Sequence, residues 1–142
     1  MSARESENKM ARYFNIDLPP IAISRRDVER LSRLADIAGE KFPSASEFLA
    51  REVERAHVIE DFETLPGLVG MGSEVEFRDD ITGQIRRVKL VYPEDAGKNP
   101  ATVSVLTPAG AALIGLSVSQ SIEFRTPSGG WRSLTVLSVR NG

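Results

Sequence analysis

Apolar residues recur at two different periods along this chain, and the change falls near residue 72. Val28, Leu31, Leu34, Ala35 and Ala38 follow one another at helical spacing. Ser24 and Asp27 precede them as a capping box, in which the hydroxyl satisfies a free amide of the first turn. A helix from about Ser24 to Ala38 is expected, closed by Gly39 in the left-handed conformation. Pro43, Ser44 and Glu47 are a second start signal. Phe48, Leu49, Val53 and Ala56 then form an apolar stripe opposite Glu47, Arg51, Glu54 and Arg55. The pattern predicts two short antiparallel helices.

From Ser73 onward the alternation has period two, through Val75 and Phe77, then Val88, Leu90 and Tyr92, then Val103 and Val105. Asp79, Asp80 and Gly83 give turn chemistry between the first two runs. Pro127, Ser128, Gly129 and Gly130 do so between Ile122–Arg125 and Trp131–Val139. Two antiparallel hairpins follow. Between them Pro108–Leu116 reads as a short helix with Ala109, Ala112, Leu113 and Leu116 on one side. The fold class is α+β, a short helical hairpin followed by a twisted antiparallel sheet carrying one helix. The expected divisions are an arm over residues 1–23 with an extended stretch near Pro19 and Pro20, the hairpin over 24–60, a Gly- and Pro-rich linker over 61–72, and the sheet domain over 73–142. No internal repeat or low-complexity tract interrupts this pattern.

Charge and composition narrow the function. The 142 residues carry 18 basic and 20 acidic side chains, a formal net charge of -2, so no global positive field holds a nucleic acid backbone. A protein partner fits better than direct, sequence-specific nucleic acid binding. The absence of cysteine excludes disulfides and thiolate chemistry and is compatible with a reducing cytoplasm. No apolar run approaches bilayer length and the first residues lack a secretory signal, so a cytoplasmic protein with no membrane partner is expected; the short apolar hairpin could close on itself or present a residual stripe to a twin, and a monomer is the expectation.

Few residues offer catalytic or metal chemistry. His57, the one histidine, lacks ligand partners and suits a helix end; no metal, cofactor or catalytic residue is assigned. Asp79-Asp80 and Glu94-Asp95 could hold a cation, although turn carboxylates more often accept local backbone amides. Arg86, Arg87 and Lys89 could form a basic strip, with a solvated strand face as the commoner alternative. Trp131 is open to reading as an interface anchor or as sheet packing.

The second half carries Val91-Tyr92-Pro93, the run Ser104-Val105-Leu106-Thr107-Pro108-Ala109-Gly110-Ala111-Ala112-Leu113-Ile114-Gly115-Leu116, and Thr126-Pro127-Ser128-Gly129-Gly130. In order and spacing these motifs resemble the FKBP-like domain shared by the Gre transcript-cleavage factors and the Rnk family. The likeness to Rnk extends over roughly residues 23–140. Ala111 and Leu116 stand where Gre factors tend to have Arg and Lys, as in Rnk-type sequences.

The resemblance implies a regulator that binds bacterial RNA polymerase near its secondary channel and competes with Gre-type factors. Leu106, Thr107, Pro108 and Ala109 correspond to the Gre docking loop and are the candidate partner-binding residues, with Leu106 departing from the family's acidic or small residue. The hairpin tip holds Glu40, Lys41 and Phe42. Helices of about 14 residues reach only about 20 Å, short of a Gre-length probe. The acidic tip pattern needed to help hold a second magnesium ion is absent, so no transcript cleavage is expected.

Two other readings compete. Residues 15–56 contain an extended stretch, two helices and a short turn in the order of a ribbon-helix-helix DNA-binding repressor, although Pro19 and Pro20 oppose the strand. Prolyl isomerase activity would need an aromatic-lined pocket, and no motif clusters the aromatics.

Overall fold

The computed structural model describes residues 18–61, 63 and 65–141, so the arm expected over residues 1–23 lies outside the described residues as far as residue 17. The elements are β1 (Ala22–Ser24), α1 (Arg25–Ala38), α2 (Pro43–Arg55), β2 (His57–Ile59), β3 (Glu74–Asp79), β4 (Ile85–Val91), a 3₁₀ turn (Pro93–Asp95), β5 (Thr102–Ser104), α3 (Pro108–Leu113), β6 (Ser121–Arg125) and β7 (Trp131–Arg140).

The helical hairpin begins as the capping box requires, with the Asp27 amide donating to Ser24 Oγ at 3.3 Å. Its turn differs from expectation. Gly39 is right-handed, at φ -58°, because the Phe42 amide donates to the Ala38 carbonyl and the Ser46 hydroxyl to the Ala35 carbonyl. The last carbonyls of α1 are thus satisfied without a left-handed residue. Nor does Ser44 cap α2: Phe42 holds the cap position, Pro43 supplies the pre-set first turn, and Glu47 pairs with Arg51 one turn on.

Leu31 and Ala35 of α1 pack against Leu49 and Val53 of α2, all buried. Glu52, which the apolar pattern does not mark, is also buried, and Arg55 closes a salt bridge on it at 2.7 Å. Arg55 also donates to the Pro19 carbonyl, tying the chain before β1 to α2. A buried carboxylate persists only with such a partner.

His57, expected at a helix end, opens β2 instead. β2 pairs parallel with β1, His57 opposite Ala22 and Ile59 opposite Ser24. This pairing removes the ribbon-helix-helix reading, which needs its strand free to pair with a second chain. The strand is paired within its own chain.

The second half is a curled five-stranded sheet in the order β5-β4-β3-β7-β6. Both expected hairpins, β3–β4 and β6–β7, are present and antiparallel. β5 is the exception, running parallel to β4 with Val103 opposite Leu90. Tyr92 falls just outside β4 and leads into the 3₁₀ turn. Its ring packs under the Arg30 guanidinium at 3.6 Å, and Arg30 also bonds Glu94 at 2.6 Å, which fastens α1 to the end of β4. Burial, with the nearby Asp27 carboxylate adding to it, pushes the Tyr92 hydroxyl up to about 12, so it stays neutral.

The helical hairpin and the sheet share one hydrophobic core. α3 and the residues after it are its centre: Ala111, Ala112, Leu113, Ile114 and Leu116 are fully buried. Two glycines permit this. A β-carbon at Gly110 would stand 2.0 Å from the Ser104 carbonyl oxygen, so only glycine lets α3 seat on the chain leaving β5. Gly115 has φ +80° and turns the chain back; its carbonyl accepts from Ala22 at 3.1 Å and its amide donates to Val69 at 2.9 Å. Val69 lies in the stretch read as a linker, yet it is buried and bonded at both ends, its own amide donating to Leu116.

Gly110→Ala is expected to lower unfolding stability by about 3 kcal/mol or more, since backbone and not a side-chain tip must move. Urea denaturation followed by circular dichroism checks this, with Gly130→Ala, which has no left-handed φ and whose added carbon comes no nearer than 3.6 Å to the Thr126 hydroxyl, as the reference for the substitution without a clash.

Candidate docking groove and its relatives

Alternation along each strand places Val75, Phe77, Val88, Leu90, Ile122, Phe124, Leu134 and Val136 on the inner face of the sheet. The helices cover one end of that face. The other end is open and forms a groove of about 360 Å³. Phe77, Phe124, Val103 and Leu134 line it with apolar surface, while Arg86, Arg132 and Asp79 supply its charges.

Three of the four candidate loop residues, Thr107, Pro108 and Ala109, line this groove. Leu106 does not; it is half-buried and packs against the core. Thr107 also has a local duty, since its hydroxyl oxygen accepts from the Gly110 amide at 3.1 Å and donates to the Ser104 carbonyl at 2.7 Å. It therefore caps α3 and shapes the loop that presents Pro108. The hairpin-tip residues Glu40, Lys41 and Phe42 are exposed and take no part in the groove.

The basic strip divides between the two faces. Arg87 and Lys89 lie on the outer face, where Arg87 bonds Glu76 at 2.9 Å and Lys89 stands opposite Glu74. Arg86 faces inward with Val88, its guanidinium 5.8 Å from the centre of the Phe77 ring. That leaves an arginine beside an aromatic floor, a pairing common where protein partners bind. Sequence order could have revealed it, because residues of unlike parity on one strand never share a face.

The turn carboxylates serve the backbone and their neighbours. Asp79 accepts from the amides of Thr82 and Ile81, and these bonds, with Arg132 beside them, hold its carboxyl below the usual range. Burial alone would raise Asp80, but the hydroxyls of Ser133 and Thr135 and the Arg78 guanidinium outweigh it and lower the carboxyl. Glu94 pairs with Arg30 and Asp95 with Lys98. Among the described residues no group of three or more acidic or histidine side chains is arranged to hold a metal ion, and no helix is long and apolar enough to cross a membrane. Trp131 is half-exposed at the start of β7, with the Arg125 guanidinium 5.5 Å from its ring centre.

The order of a helical hairpin and a curled sheet agrees with comparisons against known proteins. The Rnk N-terminus family model matches residues 19–59, and the model for the transcription elongation factor GreA/GreB C-terminal domain matches residues 65–141. The regulator of nucleoside diphosphate kinase of Escherichia coli K12 is 34% identical over 121 residues, covering 85% of this chain and 89% of that protein. Transcription elongation factor GreA of Syntrophobacter fumaroxidans is 33% identical over 93 residues, 66% of this chain and 59% of that protein. A solved GreA/GreB factor from Nitrosomonas europaea superimposes with a TM-score of 0.66 at 36% identity, over 85% of this chain and 98% of its own. The chain belongs to the Rnk family, with a second half of the GreA/GreB C-terminal type, and is a transcription-elongation-factor-like regulator.

Two outcomes follow from the local chemistry. Because Asp79 and Asp80 titrate lower in the folded chain than their unfolded value of about 3.9, they favour folding above that pH and lose this as pH falls through their folded values. The urea midpoint should therefore drop between about pH 5 and pH 2, and Asp80→Asn should flatten that drop. Thr107→Ala should cost roughly 1 kcal/mol through the lost cap, measured by the same titration at pH 7.

Proposed function

We propose that this protein is a noncatalytic regulator that binds bacterial RNA polymerase at the rim of the secondary channel and excludes Gre-type factors by occupying their place. The observation that carries this reading is the open end of the inner sheet face, where Pro108 stands beside a floor of Phe77 and Phe124 with Arg86 at its edge. An apolar floor with an exposed arginine at the margin suits a protein surface that brings an apolar side chain and a carboxylate together.

The helical hairpin supports regulation without catalysis. Helices of 14 and 13 residues extend about 20 Å. The tip loop from Gly39 to Phe42 contains one carboxylate, Glu40, next to Lys41. A single exposed carboxylate beside an ammonium has little capacity to fix a second magnesium ion for hydrolysis. Competition is then steric, since two proteins cannot occupy one rim.

Binding to purified core polymerase, read by fluorescence anisotropy with a Gre factor as competitor, tests this. The expected result is micromolar or tighter affinity, displacement by the competitor, weakening of roughly tenfold by Arg86→Glu, and no acceleration of transcript cleavage in stalled complexes. Absence of binding at about ten micromolar overturns the reading.

A further inference from the structure

The groove beside Pro108 has the size and lining of a small-molecule site. Its volume of about 360 Å³ lies within the roughly 300 to 1,000 Å³ of pockets that enclose small ligands. Phe77, Phe124 and Leu134 line it with only 5%, 7% and 2% of their surfaces exposed, and the half-buried Val103, Pro108 and Ala109 complete its apolar lining. So little accessible aromatic surface favours a thin body over a broad one.

We propose that this groove binds a small amphipathic acid, a flat apolar body carrying one carboxylate, and that such a ligand keeps polymerase out of it. The first part stands on the groove alone; the second rests on the function proposed above. Charge selects the acid. Three charged side chains line the groove, Arg86, Arg132 and Asp79, and the ion pair between Arg132 and Asp79 cancels two of them. Arg86 remains as an exposed cation whose guanidinium lies 5.8 Å from the centre of the Phe77 ring, so a carboxylate bound to it brings the rest of the ligand over the apolar lining. Beside apolar groups the two charges attract more strongly than in open water.

The polar frame of the groove is set before any ligand arrives. Asp79 is held by the Ile81 and Thr82 amides as well as by Arg132, and the Thr107 hydroxyl by the Gly110 amide and the Ser104 carbonyl. Little has to be ordered on binding, which suits a molecule too small to offset that cost with many contacts. Its chemistry is that of the apolar side chain and carboxylate expected of the proposed partner surface, combined in one molecule. Two occupants with one chemistry exclude each other.

Cinnamate is the probe and cinnamyl alcohol its uncharged counterpart, with binding to the full chain read from methyl carbon–proton NMR shifts. Cinnamate should shift the Val103 and Leu134 methyls saturably, with a dissociation constant below about one millimolar, and leave Leu31 and Val53, buried in the helical hairpin, unmoved. Cinnamyl alcohol should bind about tenfold more weakly, and Arg86→Gln should bring cinnamate down to the level of the alcohol without changing the alcohol. No saturable shift at Val103 and Leu134, equal affinity of acid and alcohol, or unchanged cinnamate binding by Arg86→Gln overturns the site. Saturating cinnamate should then release the unaltered chain from core polymerase, while the alcohol at the same concentration does not. If cinnamate binds as described and polymerase stays bound beside it, exclusion alone is overturned. If the unaltered chain fails to bind polymerase, the proposed function and the exclusion fall together, and the ligand site, read from the spectra, stands.

Discussion

Everything in this molecule is arranged around the place where α3 rests on the backbone leaving β5. A side chain at Gly110 would collide with the Ser104 carbonyl, so the helix can approach only because that position carries none. The close seat brings Ala111, Ala112, Leu113 and Ile114 into complete burial between the sheet and the helical hairpin. It also aims the following turn, at Gly115, toward segments far away in sequence. Backbone bonds from Gly115 and Leu116 reach Ala22 and Val69, joining the chain before α1 and the chain before β3 to one short helix. Close-packed interiors transmit such a constraint rather than absorbing it, which is why a six-residue helix can organise the whole core.

The same seat divides the inner face of the sheet. One end is sealed by α1, α2 and α3, and supplies the core. The other end has no helix above it, leaving Phe77 and Phe124 at the floor of a groove although each is itself nearly buried. Thr107 serves both ends at once, because the hydroxyl that caps α3 also fixes the loop carrying Pro108. Stability and the shape of the groove therefore meet in one loop. The outer face, by contrast, is a ladder of cross-strand ion pairs, Glu76 with Arg87 and Glu74 with Arg140. Exposed pairs of this kind contribute little energy.

The hairpin owes its short reach to sequence and its orientation to packing. Its turn closes with the Ala38 and Ala35 carbonyls both satisfied, so no residue is available to extend it without breaking the Ser46 contact. Arg30 over Tyr92 and Arg55 on the buried Glu52 then fix how it leans on the sheet.

Much of this was legible from the amino-acid order, wherever one segment's periodicity decides its own state. The 3.6-residue stripe of α1, the Ser24–Asp27 cap and the two β-hairpins are local signals with a single low-energy solution. Their family resemblance was legible for the same reason, since motifs at set spacing survive as local patterns. Tertiary structure decided what no segment contains by itself: that β5 runs parallel to β4, that Ala22–Ser24 pairs with His57–Ile59, that Gly39 stays right-handed because Ser46 arrives from the next helix, and that Glu52 can be buried because Arg55 covers it. It also separated Arg86 from Arg87 and Lys89 and brought Phe77, Pro108 and Phe124 into one groove. Such outcomes depend on contacts between residues distant in the chain, whose free energy appears only when the core closes around them.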